Sequence, residues 1–174
     1  KFAWIKLKRS YKGELSDSVD VTIIGYFRGR GKRTQFGLGG LLTAVYDEAT
    51  DEFKSIAKIG TGMSEEMLSE LEGKLSKIGQ KQKPARVDSE VEPDDWVKPF
   101  YVIEVRADEI TKSPMHTCGR GKGKIGFALR FPRMIKFREK RPEESTTVKE
   151  IISMFDKQGK VQLYDAAGSE ATNQ

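Results

Sequence analysis

The sequence predicts a mainly β protein: a five-stranded Greek-key barrel with one helix between strands three and four and a second helix near the C-terminal end. Three observations lead there. Short runs rich in β-branched and aromatic residues recur along the chain, separated by Gly, Pro and Asp clusters. Two segments show apolar spacing of helical period, and each begins at a side chain able to cap it. At 174 residues, 37% of them hydrophobic, the chain can bury one core and form one domain with an extension.

The first strand is VTIIGYF at 21–27. In the loop after it, Gly29 and Gly31 free the backbone while Arg28, Arg30, Lys32 and Arg33 crowd a few positions, which suits close approach to a phosphodiester chain. Its partner strand is expected at 39–46, and the turn-like DEATD leads into a third strand at 53–59. Ser64 caps the first helix, Glu65 and Glu66 meet the positive end of its dipole, and Gly79 is the expected stop. Met67, Leu68, Leu71, Leu75 and Ile78 form its buried stripe, placing it as a plug for one barrel end.

Residues 80–95 are polar and proline-bearing and read as a surface loop. Strand character resumes at 96–106, and 127–137 supplies the last strand, with Ile135 and Phe137 anchored in the core and Lys136 and Arg138 facing out. Thr147 and Glu150 make a capping box for the second helix, whose apolar face is Val148, Ile151, Ile152 and Phe155. The tail from 159 is small and polar and is expected to be flexible. Strands and helices in this order match the OB-fold, over 14–158.

Charge is unevenly spread. Residues 1–36 hold nine Lys and Arg against three acids, and 119–141 hold nine against one, while the rest of the chain is net acidic within an overall +5. A phosphate-facing surface with an acidic back has this distribution. The densest stretch is ALRFPRMIKFREKRPEE, which carries Arg130, Arg133, Lys136, Arg138, Lys140 and Arg141 on an apolar frame and reads as a polyphosphate clamp. A charged edge strand explains such a segment as simply. A second basic ribbon argues against that: in Trp4-Ile5-Lys6-Leu7-Lys8, Lys6 and Lys8 share one strand face.

Other landmarks carry less. His116 and Cys118 fall short of the four ligands of a zinc site, and no orienting group accompanies them as a catalytic pair. The loop after them offers Arg120, Lys122 and Lys124 to phosphate on charge alone. The single cysteine makes an intracellular location the default, and no apolar run is long enough for a bilayer.

WIKLKRSY followed far downstream by RFPRMIKFREKRPEE resembles the last two nucleotidyltransferase motifs of ATP-dependent DNA ligases of the archaeal and eukaryotic type. Between them, DVTIIGYFRGRGKRTQFGLGGLLTAVYDEATDEF, KIGTGMSEEMLSEL, EPDDWVKPFYVIEV and SPMHTC resemble the C-terminal OB-fold domain of that family, in its order, so that the likeness covers most of residues 4–155. It implies that 1–13 closes an adenylation domain and carries the hinge, around Arg9 to Gly13. It further implies ATP and Mg²⁺, the ion being bound mainly by the adenylation domain. The implied partners are nicked duplex DNA, that adenylation domain and a sliding clamp, with no membrane. The implied compartment is the nucleoid if archaeal and the nucleus if eukaryotic.

On this resemblance Lys6 and Lys8 hold the adenylate phosphate, and Arg138 and Lys140 orient the pyrophosphate leaving group. Arg28, Arg30, Lys32 and Arg33 grip DNA, with Arg120, Lys122, Lys124, Arg130 and Arg133 as further contacts. Two departures stand out. No lysine is followed by x-Asp-Gly, so the adenylated lysine of the family is absent and the chain alone is expected to be inactive. The final motif, Arg138-Glu139-Lys140-Arg141-Pro142-Glu143, is one residue shorter than the family's Arg-x-Asp-Lys-x-Pro-Glu: either Glu139 replaces the aspartate or the register changes after Arg138. An mRNA capping guanylyltransferase also ends in an OB-fold, but Pro142-Glu143 and KIGTG favour the ligase. A single-strand binding module needs exposed aromatics for stacking, whereas most aromatics here lie in apolar runs.

Overall fold

Residues 18–29 and 37–158 are described by the computed structural model; Lys6, Lys8, the expected hinge, Arg30, Lys32, Arg33 and the tail from 159 lie outside the described residues. β1 (Val19–Phe27) is the central strand, because its valines and isoleucines are bordered on both sides. It pairs antiparallel with β2 (Gly40–Asp47) on one side. On the other it pairs with β7 (Val102–Arg106) over its first half and β6 (Asp95–Val97) near its end. β2 turns into β3 (Glu52–Ile59), β5 (Val87–Asp88) adds parallel to β3, and β10 (Arg133–Arg138) borders β7. The path is therefore β10-β7-β1-β2-β3-β5, with β4 (Gly79–Gln80) attached to β6. A separate hairpin joins β8 (Glu109–Ser113) to β9 (Gly126–Arg130).

The sheet curls until the chain leaving β3 meets the start of β10. Thr61 bridges Arg133, accepting from the Met134 N–H at 3.3 Å and donating its hydroxyl to the Pro132 carbonyl at 3.2 Å. Gly62 makes this approach possible: its φ is +87°, and a Cβ there would lie 2.8 Å from the Met134 carbonyl oxygen. Inside the curl, Val21, Ile23, Leu41, Ile56, Ile103 and Val105 pack with Leu68, Leu71 and Leu75 of α1 (Glu65–Ser76). A second cluster, with Phe53, Leu42 and Trp96, lies on the other face of the sheet, since successive strand residues alternate sides.

Ser64 caps α1 as expected, accepting from the Met67 N–H at 3.2 Å. The stop differs: α1 ends at Ser76 with Lys77 in the cap position, and Gly79 is drawn into β4 opposite Val97. The second helix, α2 (148–158), begins at the expected box, with Thr147 N–H donating to Glu150 Oε1 at 3.1 Å and Glu150 N–H to Thr147 Oγ1 at 3.2 Å. Ile151 is buried, and Gln158 pairs both polar groups of its amide with the Ile110 backbone.

The expected barrel and helix placement hold, but three strand readings are corrected. Residues 96–106 form two strands, β6 and β7, and the loop expected at 80–95 contributes β5. The single strand expected at 127–137 is β9 and β10, in different sheets, because Pro132 has no N–H for a ladder and Phe131 takes φ +52°. Ile135 is not in the core. A bulge between Met134 and Lys136 turns it outward, 42% exposed, and Met134 fills the buried position.

Candidate functional site

β10, β7 and β1 lie side by side, so one row of the sheet carries Lys136, Glu104 and Asp20 in direct register. Their neighbours in strand, Met134 and Phe137, Ile103 and Val105, Val19 and Val21, point into the core, which leaves the charged set on the opposite face. Arg138 stands beyond Lys136 on that face. Its Nη1 is 3.5 Å from Glu104 Oε1 and its Nε 3.8 Å from Asp20 Oδ1. Lys140, where the chain leaves β10, places Nζ 2.6 Å from Asp20 Oδ2. The structure thus brings Arg138 and Lys140 together at one carboxylate.

The same two cations edge a groove of about 550 Å³ between α1 and the end of β10. Its wall is aromatic: Phe100 and Tyr101 meet edge to face, and the Lys74 ammonium sits 5.4 Å from the Tyr101 ring and 5.3 Å from that of Phe137. Beyond Lys140 the chain tightens into a 3₁₀ turn, Pro142–Glu144, closed by Arg141 against Glu144 Oε1 at 3.0 Å. Arg86 fastens this turn to the β2–β3 corner, reaching Glu143 at 2.9 Å and Asp51 at 2.6 Å. The Arg86 hydrogen bond holds the Glu143 carboxyl below its ordinary range.

The other basic residues are dispersed. Arg28 is exposed and pairs with Asp95 at 3.2 Å, its backbone N–H donating to Asp94. Arg120 is folded inward, with Nη1 2.8 Å from Glu90 and Nη2 donating to the Pro114 carbonyl, so it fastens the loop that leaves Lys122 and Lys124 exposed. Arg130 pairs with Glu109 at 2.6 Å and Arg133 with Asp108 at 3.2 Å, at the corner between β9 and β10.

Between those arginines stands Phe131, a residue that sequence reasoning placed inside a strand. It is 63% exposed at φ +52°, and the Arg130 guanidinium lies 5.0 Å from its ring. That backbone region is rare for a bulky aromatic, and most of the Phe131 ring is left to solvent rather than packed. The signal was available in Arg130-Phe131-Pro132-Arg133, an aromatic before a strand-breaking proline with an arginine on each side.

His116 and Cys118 pack between β3 and the hairpin. His116 Nδ1 is 3.2 Å from Ser55 Oγ, and burial, then the nearby Arg120 charge, lowers its pKa to about 4. Burial pushes the Cys118 thiol up to about 12. Among the described residues, no group of three or more His, Cys, Asp or Glu could hold a metal ion, and no helix is long and apolar enough to cross a membrane.

Strand order and the helix packed into the curl define an OB-fold domain, with the Arg138 and Lys140 pair beside its groove. More particularly, the family model described as the ATP dependent DNA ligase C terminal region matches residues 34–141, and the chain belongs to that family. It is 55% identical over 161 residues to a probable DNA ligase of Dictyoglomus turgidum, covering 91% of this chain and 28% of that protein. It is 44% identical over 171 residues to a DNA ligase of Saccharolobus solfataricus, covering 97% of this chain and 28% of the relative. The chain therefore spans little more than a quarter of the length of these curated relatives, 28% in each case. Among solved structures, the ligase domain of LigD from M. tuberculosis superposes with a TM-score of 0.53 at 26% identity, covering 75% of this chain and 38% of that one. A mycobacterial DNA ligase D complexed with ATP and MES does so at 0.53 and 25% identity, covering 75% and 37%. The expectation of a ligase C-terminal OB-fold domain is borne out.

Proposed function

We propose that this domain positions ATP and then grips nicked duplex DNA within an enzyme that seals nicks through enzyme-AMP and DNA-adenylate intermediates. A lysine of the adenylation domain attacks the α-phosphorus of ATP, a P–N bond forms, and the α–β bridge breaks to release pyrophosphate. AMP then passes to the 5′-phosphate at the nick, and the 3′-hydroxyl displaces it. Each step builds charge on phosphate oxygens, so placed cations supply much of the stabilisation. Arg138 and Lys140 receive the departing pyrophosphate in the first step, while Lys6 and Lys8 hold the adenylate phosphate. Magnesium adds charge neutralisation when bound.

The observation that carries this reading is the convergence of Arg138 and Lys140 on Asp20, at 3.8 and 2.6 Å. Two cations that reach the two oxygens of one carboxylate also suit two oxygens of one phosphate. The DNA grip is assigned to Arg28, Arg30, Lys32 and Arg33, joined by Lys122, Lys124, Arg130 and Arg133, with Phe131 as an apolar contact among them. Such contacts take the backbone without reading bases. A sliding clamp would tether the whole enzyme. The Arg138 and Lys140 clamp closes over ATP and then swings away so that another face of the domain meets DNA, about the hinge near Arg9 to Gly13.

The test uses the complete enzyme. Arg138→Ala should abolish lysine adenylylation by ATP yet seal a preadenylated nick at close to the unaltered rate. Equal loss of both activities contradicts the two-orientation reading.

A further inference from the structure

We infer that Asp20 is a positioning residue: its carboxylate fixes Arg138 and Lys140 as a pair, so that both meet the leaving pyrophosphate already aimed. This rests on the assignment of those cations to the pyrophosphate and adds the group through which they act together.

Asp20 interrupts an apolar strand. Val19 and Val21 on either side of it are buried, at 1% and 0% exposure, and its own side chain is only 16% exposed on the opposite face. Its backbone is held twice: the N–H donates to Thr146 Oγ1 at 3.0 Å, and the carbonyl accepts from the Thr146 N–H at 2.8 Å. The carboxylate therefore stands on a rigid base. Oδ2 meets Lys140 and Oδ1 faces Arg138, one oxygen for each cation. Glu104, opposite Asp20 in the sheet, takes Arg138 from the other side at 3.5 Å.

The layering explains the use. Asp20 and Glu104 are the inner groups, and Arg138 and Lys140 lie over them at 35% and 31% exposure, their charged ends set against the two carboxylates. With Lys136 the set has three cations over two carboxylates, leaving one positive charge for an arriving anion. Free arginine and lysine side chains lose much rotamer freedom when a ligand immobilises them. A carboxylate at their base takes that loss during folding, and what remains is a preorganised pair.

Asp20→Asn removes the charge while preserving shape. In the complete enzyme it should lower kcat for lysine adenylylation about tenfold to a hundredfold, with KM for ATP within about twofold, because orientation is lost more than ground-state binding. Sealing of a preadenylated nick should stay within about twofold, and Asp20→Glu should recover part of the adenylylation rate. Should Asp20→Asn fail to fold, Glu104→Gln, which loosens Arg138 from its other side, should show the same split between steps. Wild-type adenylylation in the variants, or equal slowing of both steps, overturns the inference. Arg138→Ala run in parallel separates the two ideas: normal adenylylation there removes the pyrophosphate assignment itself, whereas a defect there with normal Asp20→Asn removes only the positioning role.

Discussion

The Arg86 guanidinium lies 2.9 Å from the Glu143 carboxylate, joining the loop before β5 to the turn that follows the cation pair. Arg86 also reaches Asp51 and lies over the Phe53 ring at 5.1 Å, so one side chain ties two corners to the second apolar cluster. The arrangement keeps the chain after Lys140 folded against the sheet.

Loss of this tie should be visible in acid. Hydrogen bonding to Arg86 depresses Glu143, and hydrogen bonds from Tyr46 and then Arg86 depress Asp51. A depressed carboxylate contributes stability that is present above its unfolded value and lost as pH falls through its folded value. Thermal melts should therefore show Arg86→Ala less stable than wild type near neutrality, with the gap narrowing below about pH 4. Because these groups are partly exposed, the difference should be small.

His116 makes a second pH-dependent contribution of the same direction. Its folded pKa of about 4 lies below the ordinary 6.5, so the unfolded chain binds the extra proton as pH drops between those values. Stability should fall over that window by roughly 3 kcal/mol, an amount that follows from the difference in the two values. His116→Gln should flatten the melting temperature between pH 7 and 4, and an unchanged slope in the variant would place the titration elsewhere.

Phe131 separates backbone strain from function. Phe131→Gly should leave the melting temperature equal or higher, since glycine accepts φ +52° without a Cβ clash. The same variant should bind nicked duplex several-fold more weakly. A large loss of stability with unaltered DNA affinity would make the residue a packing element.

The basic loops should reveal themselves in salt. Affinity for duplex DNA should fall linearly with the logarithm of salt concentration, and replacing exposed Lys122 and Lys124 by alanine should reduce that slope by about one for each phosphate contact removed. Arg120→Ala, by contrast, should act on stability, because that side chain is committed to Glu90 and Pro114. Tighter binding to single strands than to nicked duplex, with tryptophan quenching, would overturn the proposed grip on nicked duplex.

The amino-acid order alone determined what depends on near neighbours. Ser64 bonding to Met67 and Thr147 to Glu150 are three-residue relationships, and the β-branched runs of β1, β2 and β3 declare themselves by composition. The clamp segment was likewise legible as charge on an apolar frame, and its family as ordered motifs. Only the tertiary structure decided how that charge is arranged. Phe131 and Pro132 break one apparent strand into two, and a bulge ejects Ile135, because pairing partners and not propensity set register. Asp20 lies 120 residues from Lys140, and Glu104 34 from Arg138, so no local pattern announces that they meet. Electrostatic partnership acts through space, and folding alone brings these acids under the cations they orient.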